Sequence, residues 1–279
     1  MSKEREALLA TLREKAKFCR QETIRLIAIA KSGHYGSVFS AAEILAALYY
    51  HVLRYDPRNP GWPDRDRFIL SKGHAAVGLY PLLADVGFFE PALLDTYTRL
   101  GSPFGDHPDM RKIPGIDFSS GSLGHGLSVG VGMALAGRAT GRDYRVYVLL
   151  GDGELDEGQV WEAAMSAAHF ELGNLIAIVD RNRVSVDGET AEVMEIEPLR
   201  DKWAAFGWRV QEVDGHDLDA LLERFAALPA PAAEQPTVIV AHTVAGKGVS
   251  FMEDKFEWHL GNLAAEDQAQ ALAELEKAR

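Results

Sequence analysis

The chain has 279 residues and a formal net charge of −12. That length builds one large domain or at most two small ones, and the acidic balance argues against nucleic acid or an anionic membrane as the main partner. Cys19 is the only cysteine, so no intrachain disulfide can form, which fits a reducing cytoplasm. No apolar run approaches the roughly 18 residues of a membrane span. The charged start MSKEREALLATLREKAKF has no secretory apolar core.

Residues 3–31 read as one amphipathic helix, with Leu8, Leu12, Ile24 and Ile27 on its apolar stripe. SGHYGS breaks it, and AAEILAALYYHVL reads as a second helix. DPRNPGWPDRD is a loop, RFILS a short strand and GHAAVGLYPLLADVGF a helix. Residues 101–120 are irregular, and so long a loop in a compact domain marks a functional or a disordered segment. Beyond it, the strands RVYVLL, LIAIVD, WRVQEV and TVIVAH alternate with helical segments such as DLDALLERFAAL. This alternation predicts an α/β fold, a parallel sheet with helices on both faces. ALPAPAAEQP is a surface connection, and a charged helix follows Gly261.

The richest stretch runs from Arg145 to Gly188, RVYVLLGDGELDEGQVWEAAMSAAHFELGNLIAIVDRNRVSVDG. One apolar run ends in Gly-Asp-Gly and the next in Asp-Arg-Asn. In parallel α/β sheets, ligands bind beyond the carboxyl ends of the strands. Asp152 and Asn182 stand at such ends on successive strands, and neighbouring strands lie about 4.8 Å apart, so the two side chains can converge. A carboxylate with a neutral amide oxygen suits Mg²⁺ shared with phosphate groups. Gly153 lets the backbone approach a phosphate, and the helix opening near Glu157 adds a positive dipole end. These residues predict a Mg²⁺–diphosphate clamp. Gly-Asp-Gly alone is more often a simple turn after a strand, and it is the asparagine one strand later that favours the clamp.

Two other glycine runs compete. Residues 124–130, GHGLSVG, imitate a dinucleotide-binding run but lack a convincing preceding strand and an acidic partner. AGKGVS imitates a phosphate-binding loop, but Ala241 stands where its first glycine belongs and Gly248 follows Lys247.

GDGELDEGQVWEA, SGHYGS, LSKGHAAVGLY, SSGSLGHGLSVGVGMA, VDGHD and GKGVSFMEDKFEWHLG, motifs spread over nearly the whole chain, resemble the transketolase family. The chain is most similar to transketolases and to the N-terminal subunits of split transketolases. The resemblance implies a thiamine-diphosphate-binding fold occupying residues 1–279 as a single domain, with thiamine diphosphate and Mg²⁺ as cofactors. It implies transfer of a two-carbon ketol unit from a ketose to an aldose, with sugar phosphates as substrates. The pyrimidine-binding and C-terminal domains are expected on a separate partner chain, together with the glutamate that activates the aminopyrimidine, in a cytoplasmic α2β2 assembly.

Carried over by motif, Asp152, Asn182 and the backbone carbonyl of Val184 would hold Mg²⁺. Gly153 and His74 would face the diphosphate, and Gly121, Ser122 and Leu123 would cradle the aminopyrimidine. His34 and His259 would flank the donor carbonyl, with Ser37 assisting, and His107 would bind the donor's terminal hydroxyl. Histidine suits such work because its proton affinity lies near working pH. Glu157 is placed at the cofactor and at a contact between subunits; Glu162 stays open. His216 is assigned to turn and helix-cap structure. The chain departs from the family pattern at Tyr35, where Pro is frequent, at His125, where many members carry Gln, and at Ala245, where some carry a basic residue. Deoxyxylulose-phosphate synthases and α-ketoacid dehydrogenase α subunits are the nearest rivals, and LSKGHA and EWHLG favour transketolase over both. A cofactor-binding module without turnover is a third possibility, and the intact Asp, Asn and His set argues against it.

Overall fold

The computed structural model describes residues 2–277. Helix α1 (Lys3–Ala30) is capped by Ser2, whose hydroxyl accepts the Arg5 N–H at 3.2 Å, and it stops at Lys31, which turns into the left-handed region at φ 62°. Leu9, Leu12, Ala16, Cys19, Ile24 and Ile27 form its buried stripe. Helix α2 (Gly36–Ala47) starts earlier than its apolar run suggests, inside SGHYGS, and is buried at every residue. Strand β1 (Arg67–Leu70) follows the Pro-rich loop. A 3₁₀ turn at Gly73–Ala75 then leads into α3 (Ala76–Asp85), so His74 precedes the α-helix proper.

After the irregular segment come α4 (His125–Ala139), β2 (Val146–Gly151), α5 (Gly158–His169) and β3 (Leu175–Arg181). A small antiparallel hairpin, β4 (Val184–Ser185) with β5 (Gly188–Glu189), and the short helix α6 (Thr190–Val193) stand where no element was expected. Next are α7 (Leu199–Ala205), β6 (Arg209–Asp214), α8 (Leu218–Ala226), β7 (Thr237–His242) and α9 (Ala265–Lys277). No described helix is long and apolar enough to cross a membrane.

The main sheet has strand order β1-β2-β3-β7-β6 and is parallel throughout. Successive strand residues point to opposite faces, and the core divides accordingly. Tyr147, Leu149, Ile176, Ile178, Ile239 and Ala241 face one cluster, which includes the buried residues of α1, α2, α3 and α8. Val146, Val148, Leu175, Ala177, Val238 and Val240 face the other, with α4, α5 and α7. Both faces are covered, which is why the central strands read as unbroken apolar runs. The edge strand β6 keeps exposed charge at Arg209 and Glu212, which suits an edge.

Candidate active site

The three central strands stop in register. Gly151 pairs with Asp180, and Asp180 with Ala241. The chain therefore delivers Asp152, Asn182 and Thr243 side by side at one end of the sheet. Asp152 is buried. Its Oδ1 accepts the Gly153 N–H at 2.9 Å; its Oδ2 accepts the Arg183 N–H at 2.6 Å and the Arg181 guanidinium at 2.8 Å. Burial pushes its carboxyl up to about 6; the Arg181 hydrogen bond opposes that rise and Asp180 adds to it.

Asn182 is held by its surroundings. Its Nδ2 donates to Ser40 Oγ at 3.2 Å and lies 3.4 Å from Asp180 Oδ2, while its Oδ1 accepts the Val184 N–H at 3.0 Å. Arg183, at φ 66°, supplies the left-handed bend that opens the β4–β5 hairpin. Asp180 lies beneath, a residue that sequence reasoning missed. It accepts from Lys72 Nζ, from the Thr243 hydroxyl and from Ser40 Oγ at 2.5 Å. Lys72 also donates to the Ser37 carbonyl at 2.7 Å. Glu154 was missed too. Its buried carboxylate accepts from the Ser71 hydroxyl, from the Gly124 N–H at 2.8 Å and from the Gly151 N–H at 3.1 Å, tying three segments together.

Among the described residues, no group of three or more His, Cys, Asp and Glu side chains is placed to hold a metal ion. A cation at this strand end would draw on the Asp152 carboxylate, the Asn182 amide oxygen and the Val184 carbonyl, and complete its shell from phosphate and water. Mg²⁺ is bound in that manner, through one or two carboxylates plus phosphate oxygens. The raised Asp152 carboxyl fits as well, because a cation restores the ionised form that burial disfavours.

Histidines form the wall above. The rings of His34 and His74 are 4.9 Å apart, His34 and His259 5.5 Å, and His74 and His259 5.4 Å, centroid to centroid. His34 and His259 are far apart in sequence. They meet because Gly33 and Gly261 exchange backbone hydrogen bonds at 3.0 and 2.9 Å. Burial lowers the proton affinity of His74 well below the ordinary histidine value, helped by His34 and Lys72. Burial, His34 and Lys72 take His259 down to about 4. Both rings are neutral at working pH. His34 Nδ1 and Ser37 Oγ are buried without a hydrogen-bond partner, the condition of groups that a ligand would satisfy.

These groups surround a cavity of about 460 Å³ whose lining includes His34, His74, His107, His259, Asp152 and Asn182. Ser37, Gly121, Leu123, Gly153, Glu157 and Val184 also line it. Ser122 is exposed and is not part of the wall; Glu162 is exposed on α5 and does not reach the cavity. Gly153 donates its N–H to Asp152 rather than leaving it free for a phosphate. The hairpin and α6 add Ser185, Val186, Asp187 and Val193, a wall that sequence patterning did not anticipate. The VDG turn was its only sequence signal. His216 lies in the turn before α8, as expected, with its N–H on Asp214 Oδ1 at 2.9 Å, but Asp217 caps the helix, and the His216 ring bridges Glu43 at 2.9 Å and the Val244 N–H at 2.9 Å. A larger cleft, about 620 Å³, runs along α1 and reaches the loops that follow β6 and β7. Its floor is the Arg20, Glu43 and His216 set, in which each group already has its partner, so the smaller cavity is the one with open chemistry.

A parallel sheet that presents a carboxylate and an amide at adjacent strand ends, under a histidine wall beside a cavity, has the architecture of a ligand-binding α/β enzyme domain. The family described as "Transketolase, thiamine diphosphate binding domain" matches residues 12–276. The chain belongs to the transketolase family and binds thiamine diphosphate as that family's N-terminal domain does. It is 46% identical over 267 residues to the 6-deoxy-6-sulfo-D-fructose transketolase subunit of Clostridium sp. (strain MSTE9), covering 95% of this chain and 96% of the relative. It is 42% identical to an apulose-4-phosphate transketolase subunit of Phocaeicola vulgatus, covering 92% and 90%. The solved transketolase from Leishmania mexicana superposes with a TM-score of 0.89 at 32% identity, over 95% of this chain and 41% of that one. Along its length the chain corresponds to the N-terminal subunit of a split transketolase.

Proposed function

We propose that this chain is the diphosphate-binding half of a two-component transketolase that moves a two-carbon ketol unit from an anionic ketose to an aldose. The carrying observation is that the Asp152–Asn182 strand end and the His34, His74 and His259 cluster open into one cavity. Asp152, Asn182 and the Val184 carbonyl would hold Mg²⁺ against the diphosphate; Gly153 would leave it room, and neutral His74 would face it. Gly121 and Leu123, which line the cavity, would contact the aminopyrimidine. When bound, thiamine diphosphate supplies a nucleophilic carbon and an electron sink for the two-carbon unit. His259, neutral at working pH, takes a proton from a substrate hydroxyl and returns it. His34 and His107 bind the donor's oxygens, and the cavity walls exclude water. The donor C2–C3 bond breaks, an aldose leaves, and the ketol unit joins an acceptor aldehyde.

The substrate's anionic end lies toward the partner. Among the described residues, Lys72 is the only lysine or arginine of this cavity's wall, and Asp180 already neutralises it. Exposed apolar side chains Val186, Val193 and Met194 edge the hairpin side of the cavity, a surface suited to the pyrimidine-binding partner in an α2β2 complex, with Glu157 at the seam. The test is to isolate the chain with its native partner and assay ketol transfer from phosphate- and sulfonate-terminated ketoses. Activity that appears only in the complex is expected; full activity of this chain alone would sink the proposal.

A further inference from the structure

His107 and His34 approach the cavity from different parts of the chain, and one carboxylate lies between them. Asp106 Oδ2 is 3.8 Å from His34 Nδ1 and 3.9 Å from His107 Nδ1. These are charge contacts and too long for hydrogen bonds. His34 Nδ1 is buried and has no other partner. The carboxylate is itself fixed: Tyr97 donates its hydroxyl to Asp106 Oδ1 at 3.2 Å, and Tyr80 donates to the Gly105 carbonyl at 3.0 Å. Both tyrosine rings are fully buried, and Tyr80 packs on Phe104 at 5.4 Å between centroids. Residues 104–107 are therefore anchored within an otherwise irregular segment. Burial raises the Asp106 carboxyl, and His34, His107 and Tyr97 outweigh it, leaving the group below the ordinary carboxylate range.

Nothing in the binding of diphosphate or cation requires a carboxylate here, since Asp106 stands outside that wall. We propose that Asp106 is a positioning residue, a shared counter-charge that orients His34 and His107 toward the substrate's oxygens. The proposal rests on the reading of these two histidines as substrate-facing. The depressed Asp106 carboxyl fits a carboxylate that faces both histidines and the Tyr97 hydroxyl. The other groups facing His34 are His74, His259 and, beneath them, Lys72. These are neutral rings and a cation, so Asp106 is the negative charge in that set. His107 is faced by Asp106 and, at longer range, by His74.

The test is Asp106→Asn in the full chain, which keeps an acceptor for the Tyr97 hydroxyl and removes only the charge. Crystal structures of the parent and the variant locate the two rings, and kcat and KM for the donor are measured on the complex with its partner. The expected result is that the His34 and His107 rings both turn from their places facing Asp106, and that kcat/KM falls about tenfold while cofactor affinity is kept. Asp106→Glu recovers most of both effects. Tyr97→Phe, which loosens the loop but keeps the charge, leaves the rings where they were. Rings unmoved by Asp106→Asn, movement of only one histidine, or an equal displacement in Tyr97→Phe would each overturn the proposal. The ring positions decide this even in a complex without ketol transfer, an outcome that counts against the functional reading and not against Asp106.

Discussion

Two buried carboxylates, Glu43 and Asp152, each face a buried arginine, yet they end on opposite sides of the ordinary carboxylate range. Burial pushes Glu43 up, but Arg20 and His216 outweigh it and take the group down to about 2. The Arg20 guanidinium meets both of its oxygens, at 2.6 and 2.7 Å, and His216 donates to one of them at 2.9 Å. Asp152 receives a single guanidinium N–H, from an Arg181 that also serves Thr190 and Glu197, and it has the Asp180 carboxylate as a neighbour. Its carboxyl rises to about 6. Glu43 is a closed set that joins α1, α2 and the start of α8. Asp152 is left short of positive charge beside a cavity. A structural carboxylate such as Glu43 is neutralised by its own protein; Asp152 keeps an unmet charge that a cation would satisfy.

The sharpest way to break this comparison is Glu43→Gln. Removing the charge leaves Arg20 buried without its counter-ion, and breaking one side of such a pair costs about 3–5 kcal/mol. Denaturant unfolding of the chain should show that loss, with cofactor affinity per folded molecule unchanged. The pH dependence carries the same sign. A carboxyl lowered on folding from 4.5 to about 2 contributes stability above its unfolded value, lost as pH falls toward 2. The Gln variant lacks that acid limb. A variant as stable as the parent would mean that the Arg20 charge is compensated elsewhere.

Asp152→Asn should behave in the opposite way. Its carboxyl rises on folding from 3.8 to about 6, so the folded chain holds the proton more tightly and loses stability as pH climbs between those values. Without cofactor, the Asn variant should therefore be at least as stable as the parent at neutral pH and lack this dependence. What it loses is the ligand. A hundredfold excess of thiamine diphosphate and Mg²⁺ over Kd stabilises the parent by about 2.7 kcal/mol, and thermal melts of the variant should show none of that gain. A full gain in the variant would place the cation elsewhere.

The sheet and its strand ends were legible because β2, β3 and β7 are apolar runs, two of them stopped by Gly, Asp and Asn, a local signal. Asp180 was not. It closes the run LIAIVD and reads as a strand's polar end, whereas its meaning comes from Lys72, 108 residues earlier in the chain. The same holds for Glu154, whose partners Ser71 and Gly124 come from other segments, and for the Gly33–Gly261 bridge that unites His34 with His259. The β4–β5 hairpin escaped because two-residue strands have no period to detect. Motif likeness supplied the candidate residues. The buried charges that hold them follow from topology, which spacing alone does not reveal.

Gly153 offers the finest version of the contrast between a protein closed on itself and one open to a ligand. A Cβ there would stand 3.3 Å from Ser185 Cβ and 4.0 Å from Thr190 Cγ2, a tight but not forbidden contact, and the residue's φ is not in the left-handed region. Gly153→Ala should thus leave the free chain within about 1 kcal/mol of its original stability. The methyl group would occupy the gap between the β2 end and the hairpin, where the diphosphate must come close. Cofactor affinity should fall about tenfold, or about 1.4 kcal/mol, in a titration with Mg²⁺ in excess. Unchanged affinity would show that the diphosphate keeps clear of this strand end, and the clamp would then depend on the hairpin side alone.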